Sequence, residues 1–326
     1  MIKSNNFLII TLSILFVSCT TVQPPPQPNE SFKIKPVKIQ PHRINIPTPS
    51  RVAPPIKKPI VQTSPFPIAQ LPASLLYLRN KPAVPGGIAW ISLLTRSNVP
   101  PVIKYQNKQV LVLRNGQQWI ALVGIPLTAR IGQHTIINQD NNQQYSFKVT
   151  HKRYKVQRIN IKNKRKVNPA PSDLRRIRRE RELIRSALAS PWRPTTTSPL
   201  PLMQPIRGRL SSFFGTRRYF NGQRRSSHTG LDIAAPQGTL VGAAAAGKIV
   251  RTGNYFFTGN TVIIDHGQGI VTLYGHLNSI NVFSNQIVQT GEVIGTVGKT
   301  GRATGPHLHW SVSLNQNMID PTLIMK

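Results

Sequence analysis

Gly305-Pro306-His307-Leu308-His309-Trp310-Ser311-Val312-Ser313-Leu314 alternates, after its proline, with the period of two that marks a β-strand. Residues two apart on a strand share a face and lie about 6.6 Å apart along the chain, at roughly 3.3 Å per residue. His307 and His309 therefore look the same way, and one could hold a metal while the other reaches a water in an open position. Working outward, His228-Thr-Gly-Leu-Asp232 adds an imidazole and a carboxylate, two ligand types that Zn²⁺ accepts when three protein groups hold it and a fourth position stays open. Tyr274-Gly-His276-Leu277 adds another imidazole. Singly, each has a plainer reading: His276 as a turn histidine, Asp232 as a turn residue before Ala234-Ala-Pro-Gln-Gly238, and His266 as the polar tip of a hairpin in Asp265-His-Gly-Gln-Gly269. Their conjunction in one segment favours a zinc hydrolase site. Short, turn-bounded runs at 209–214, 247–250, 261–264, 270–274, 293–297 and 308–314, joined by glycine-rich connections, predict antiparallel β-sheet that presents the donors on one face.

The order and spacing of Ser212-Phe-Phe-Gly-Thr-Arg217, His228-Thr-Gly-Leu-Asp232-Ile-Ala-Ala-Pro-Gln-Gly-Thr239, Gly259-Asn-Thr-Val-Ile-Ile-Asp-His-Gly267, Tyr274-Gly-His-Leu277 and Gly298 to Trp310 resemble the M23 family of zinc metallopeptidases, the LytM- and lysostaphin-type peptidoglycan endopeptidases. The resemblance covers residues 202–326. It implies that His228, Asp232 and His309 bind Zn²⁺, that His276 and His307 act on water and substrate, and that the reaction is hydrolysis of peptide cross-links in peptidoglycan, of the D-alanyl to meso-diaminopimelate type. Glycine-bridge specificity is the alternative within the enzyme class. A non-catalytic LytM-like regulator of a wall amidase and a basic envelope-binding protein are the alternatives outside it. No ligand position is missing, unlike in the inactive relatives that activate amidases, although Leu240 stands where such sequences usually carry proline. The sequence has no His-Glu-x-x-His helix, so a glutamate base of that kind is not available.

The amino-terminal part predicts where this chemistry takes place. Met1-Ile-Lys3 followed by the apolar run Phe7 to Val17, too short for a span of roughly 20 residues, reads as an export signal over 1–18. It ends at Phe16-Val-Ser-Cys19, and Cys19 is the single cysteine of the chain. That pattern resembles a bacterial lipobox, which implies a lipid anchor on Cys19 and, with Thr20 following, a periplasmic outer-membrane lipoprotein. Residues 19–83 are proline-rich and read as a tether.

From 84 to 163, seven β-rich runs at 88–94, 102–105, 109–113, 118–123, 135–137, 145–149 and 156–161 predict an Ig-like β-sandwich, with Asn115-Gly116 turning a hairpin. His134 and His151 stand alone there, so a positioning or regulatory module is expected. Residues 164–201 read as a basic linking helix, capped at Ser172 with Leu174, Ile177, Ile184 and Leu188 on one stripe, followed by a proline-marked hinge. Two hinges and a helix predict that the sandwich can cover the cleft until displaced. The whole chain is thus expected to be mainly β: sandwich, linking helix, then an antiparallel metallopeptidase sheet of LytM type.

The 326 residues carry a formal charge of +33. Residues 151–193 hold 15 Lys and Arg against 3 acids, and 202–326 hold 11 against 4. In a cytosolic protein this would point to nucleic acid; export removes that partner. Peptidoglycan stem-peptide carboxylates and anionic envelope components are the acidic partners expected instead, with protein regulators besides.

Overall fold

A computed structural model describes residues 68–95, 97–195 and 197–326 of the chain. The export signal, the lipobox cysteine and most of the tether lie outside the described residues. The tether ends earlier than its proline content suggests. Ala69 and Leu71 run beside Arg114, and Ala73–Asn80 forms a 3₁₀ helix with Leu75 and Leu78 buried. Apolar side chains spaced through this segment cover a sheet face that would otherwise meet water.

The sandwich has a three-stranded sheet, Ile88–Leu93, Gln118–Gly124 and Leu111–Asn115, against a four-stranded one, Lys108–Gln109, Ile103–Tyr105, Gly132–Asn138 and Gln144–Val149. Trp119, Ala121, Val123, Ile103, Tyr105 and Ile136 fill the space between them. The run at 109–113 divides at Val110 and serves both sheets. Asn115 pairs with Gln118 across a two-residue turn in which Gly116 takes φ +58°, a conformation that favours glycine. Gln118–Gly124 is buried from Trp119 onward because both its faces are covered. Its second face, with Ile88, Leu111, Leu113, Ile120 and Leu122, joins one apolar core with Ile233, Trp310 and Leu314 of the carboxyl-terminal domain. Asn315 completes the junction as an amide clamp: its Oδ1 accepts from the Gly124 N–H at 2.6 Å and its Nδ2 donates to the Gly124 carbonyl at 3.1 Å.

Val156–Ile159, expected as the seventh sandwich strand, instead pairs in parallel with Arg217–Phe220 of the carboxyl-terminal domain. The free edge of the Arg217–Phe220/Gln223–Arg224 hairpin offers ladder groups, and Asn221 extends the pairing with two bonds to Ile161.

The linking helix α1 spans Pro171–Leu188. Its N-cap is Ala170 rather than Ser172, because Pro171 takes the first helical position and the Asp173 carboxylate reaches back to the Ala170 N–H. Ile184, Ala187 and Leu188 pack on Ile263, Val271 and Leu273, the outer face of the main sheet, while Leu174 of the expected stripe stays exposed. The expected hinge after the helix is pinned: Ser190 Oγ and Arg193 Nε both donate to the buried Asp265 carboxylate at 2.9 Å, and the Arg193 carbonyl accepts from Gln268 N–H.

The main sheet runs Ile287–Val288, Gly247–Tyr255, Gly259–Gly267, Ile270–Ile280, His307–Leu314, Leu231–Ala234, Arg209–Ser212, with each neighbouring pair antiparallel. The runs marked at 247–250, 261–264, 270–274 and 308–314 are lengthened by their pairing, and that at 209–214 is shortened to Arg209–Ser212. Ile287–Val288 and Leu231–Ala234 were not among the expected strands, and Val293–Val297 pairs with Leu240–Gly242 off this path. The order places the strand that carries His307 and His309 between the strands that carry Asp232 and His276.

Candidate metal centre

Register brings the donors together. His309 lies opposite Asp232 on one neighbour and opposite Gly275 on the other. Directly opposite residues point to the same face, so the Asp232 carboxylate and the His309 imidazole emerge side by side. Gly230 allows the 228–232 segment to pass close by, because a Cβ there would stand 2.5 Å from Ser311 Oγ and 2.7 Å from His309 Cε1. His276 follows Gly275 with φ +62°, a left-handed conformation that is uncommon outside glycine and is characteristic of functional positions. Its N–H donates to the Thr258 carbonyl at 2.7 Å, which holds the kink.

The result is a triangle of donor atoms. His228 Nε2 and His309 Nδ1 each lie 2.9 Å from Asp232 Oδ1 and 3.0 Å from one another. His307 Nε2 approaches the same oxygen at 3.9 Å, and the His276 ring lies 4.7 Å from that of His307. All five residues singled out from the sequence therefore meet in one place.

The far nitrogens decide the tautomers. Nδ1 of His228, His276 and His307 faces the carbonyls of Phe213, Thr300 and Gly305 at 3.1, 2.8 and 2.9 Å. A carbonyl only accepts, so Nδ1 carries the proton and Nε2 turns a bare lone pair inward. His309 is held through Nε2 by Ser311 Oγ at 2.9 Å, which leaves its Nδ1 on the triangle. Burial lowers the His228 pKa to about 4 and the His276 pKa to about 3, so both are neutral at neutral pH. Burial alone would raise the Asp232 carboxyl, but the imidazoles of His228 and His309 hold it below the usual carboxylate range. The neutral His228 imidazole, the His309 imidazole and the Asp232 carboxylate, with their ligand-type atoms converging, form a site for a cation. Tetrahedral Zn²⁺, with bonds of about 2.0–2.1 Å, needs ligand atoms roughly 3.3 Å apart, a small expansion of this triangle.

Arg218 was not marked by the sequence reading. Its Nη2 donates to Asp232 Oδ2 at 2.6 Å and to Ser212 Oγ at 3.0 Å, fixing the carboxylate so that Oδ1 faces the triangle. The signal available was alternation in Arg217–Phe220, which separates Arg218 from its neighbouring arginine. His266 differs from its expected hairpin-tip position. It is fully buried, with Nδ1 on the Ala246 carbonyl and Nε2 on Thr272 Oγ1, because the strand continues to Gly267 before the turn. The segment after the sandwich makes contacts near the donors: Arg225 donates to the Val167 carbonyl, Lys166 to that of Phe256, and Arg302 to that of Lys166.

The Peptidase family M23 profile matches residues 226–321, and that of the M23 N-terminal domain matches residues 80–152. A solved M23 peptidase structure from Pseudomonas aeruginosa is 41% identical, covers 77% of this chain and 98% of its own, and superposes with a TM-score of 0.64. The chain belongs to peptidase family M23. The M23 match contains all five donor residues, whereas Arg218 and Ser212 precede it; the N-terminal match ends before Val156, where the chain leaves the sandwich. DD-carboxypeptidase/endopeptidase Mpg of Neisseria meningitidis serogroup B is 45% identical over 116 residues, 36% of this chain and 27% of Mpg. Peptidoglycan DD-endopeptidase ShyA of Vibrio cholerae is 44% identical over 105 residues, 32% of this chain and 24% of ShyA. The chain thus spans about a quarter of the length of the curated relatives it matches.

Proposed function

We propose that this M23 chain is a zinc metalloendopeptidase that hydrolyses the D-alanyl to meso-diaminopimelate cross-links of peptidoglycan. The observation that carries this reading is the triangle of His228 Nε2, Asp232 Oδ1 and His309 Nδ1 with the bare Nε2 of two further imidazoles beside it. The DD-endopeptidase names of Mpg and ShyA support the substrate. Export and lipidation at Cys19, placing the enzyme in the periplasm on the outer membrane, belong to the same proposal, as does attraction of its basic surface to anionic envelope components.

His228, Asp232 and His309 would hold Zn²⁺, which supplies Lewis acidity when bound: it acidifies water and polarises an amide carbonyl. The remaining chemistry belongs to His276 and His307. Either bare Nε2 can take the proton that water loses as it attacks the carbonyl carbon, and the imidazolium so formed can return that proton to the leaving amide nitrogen. The carbonyls of Thr300 and Gly305 keep both rings aimed inward during the transfer. Complete donors argue against the regulator reading.

The deciding experiment is mass spectrometry of muropeptides released from purified sacculi by the mature chain, with and without chelator. Release of cross-link cleavage products that chelator stops and zinc restores is expected. Products unchanged by chelator, or no products from zinc-loaded protein, would overturn the proposal.

A further inference from the structure

A cavity of about 720 Å³, away from the five donor residues, lies where the linking helix, the 255–258 hairpin and the carboxyl-terminal turn meet. That volume lies within the range of small-ligand sites, roughly 300–1,000 Å³. Ile177, Ile184, Leu188, Tyr255, Phe257 and Met318 make its walls largely apolar. The charges around it are unevenly committed. Glu180 accepts from Arg176 Nε at 2.5 Å and from the Phe256 N–H at 2.7 Å, and Glu182 is paired with Arg185 at 2.7 Å. The Arg181 guanidinium makes no hydrogen bond or ion pair with another described residue, although the residue lies within the helix Pro171–Leu188. Lys108 reaches only amide oxygens, the Gln316 carbonyl at 3.5 Å and Asn317 Oδ1 at 3.2 Å. Burial lowers the Lys108 pKa, as expected for a cation partly withdrawn from water without a carboxylate.

The wall of this cavity is tied to the metal centre. Thr258 lines it, and its carbonyl holds the N–H of His276 at 2.7 Å. Phe257 lines it too; its carbonyl accepts from the Arg302 N–H at 2.8 Å, and its ring lies 4.3 Å from the Arg302 guanidinium carbon. An occupant would therefore press on the two residues that fix the backbone of His276 and of the 302 loop.

We propose that the cavity is an effector site for a small amphiphilic anion, an apolar body with one carboxylate or phosphate head, whose occupancy is felt at His276 through Thr258. The body lies against Ile177, Ile184 and Phe257, and the head lies at Lys108 and Arg181. Charge disfavours occupants from this chain: the protein is +33 overall, and residues 1–67 carry eight Lys and Arg against Glu30 alone. A protein partner would need an interface of about 800 Å² per side, more than a cavity of this size provides by itself.

The test is isothermal titration of the full mature chain with decanoate and with decyl phosphate, using decyltrimethylammonium as the cationic control and Arg181→Glu and Ile184→Trp as variants. One saturable site per chain for at least one of the two anions is expected, with the stronger binder identifying the head group and no binding of the cation. The Arg181 side chain is exposed and has no partner among the described residues, so R181E should keep the wild-type thermal midpoint while the reversed charge beside the anionic head weakens binding about tenfold. I184W should fill the cavity and remove binding. The His276 ring resonances should shift at saturation, a readout that does not depend on cleavage. Failure of both anions to bind, or binding that R181E leaves within twofold, overturns the site. Saturation without a shift at His276 overturns the coupling. Binding of an acidic apolar peptide in place of either amphiphile would make the cavity a protein-docking groove and also refute the proposal.

Discussion

Arg218→Ala tests whether the metal centre is assembled as its hydrogen bonds suggest. Asp232 is largely buried, and its Oδ2 accepts a charged bond of 2.6 Å from Arg218 Nη2 while Oδ1 faces both candidate imidazole ligands. Without the guanidinium, Oδ2 has no comparable donor nearby, and the carboxylate can rotate away from the triangle. Breaking a wholly buried ion pair costs about 3–5 kcal/mol. Here the cost should be smaller, because Arg218 keeps some solvent contact and Asp232 keeps two imidazole neighbours. Loss of such an outer partner typically weakens metal binding about 10–100-fold, equivalent to roughly 1.4–2.7 kcal/mol. Competition for Zn²⁺ against a chromophoric chelator at neutral pH measures this directly, with thermal unfolding of the metal-free protein as the control for folding. Arg218→Lys keeps the charge, but its ammonium sits on a shorter, differently shaped side chain than the Nη2 that donates to both Ser212 Oγ and Asp232 Oδ2, so an intermediate affinity is expected. An R218A affinity within twofold of the parent would refute the positioning role, and R218K as weak as R218A would refute the contribution of charge.

The roles of the five donors separate by assay. Asp232→Ala and His309→Ala should lose both metal and cleavage, while His276→Ala and His307→Ala should retain metal and lose at least about 100-fold in rate; metal loss in the second pair would sink the division. Gly230→Ala places a Cβ 2.5 Å from Ser311 Oγ and 2.7 Å from His309 Cε1, so a destabilisation of about 1–3 kcal/mol with weakened metal binding is expected, and a parent-like thermal midpoint with full zinc content would contradict it. Asn315→Ala leaves the Gly124 N–H without its partner at the sandwich junction, while the Gly124 carbonyl keeps Asn317 Nδ2 at 2.9 Å, at a cost of about 1–3 kcal/mol measurable by urea unfolding; no change would show that the apolar core sets the junction without this bond.

Much of the site was legible because a metal needs donors at fixed spacing, and strand alternation relates two of those donors directly: His307 and His309 lie on one strand as read. The amide that joins the domains and the arginine behind Asp232 were not legible, since their partners are distant in sequence and neither forms a motif. Val156–Ile159 was read correctly as a strand but placed in the wrong sheet, because β-propensity does not name the partner edge. His266 shows the same limit and gives a test. Burial lowers its pKa to about 4 from an ordinary value near 6.5, and Ala246 and Thr272 bind both ring nitrogens. The folded protein therefore resists protonating His266 while the unfolded chain accepts the proton near pH 6.5. The neutral form's contribution is complete above that pH and is lost as pH falls toward 4. At about 1.4 kcal/mol per pKa unit, the total comes to about 3 kcal/mol. Urea unfolding at pH 7 and pH 4.5 should show the parent losing about 2–3 kcal/mol more than His266→Gln over this interval. Equal losses would mean that water reaches the ring, and that the interior behind the strands carrying His276, His307 and His309 is less tightly closed than its packing indicates.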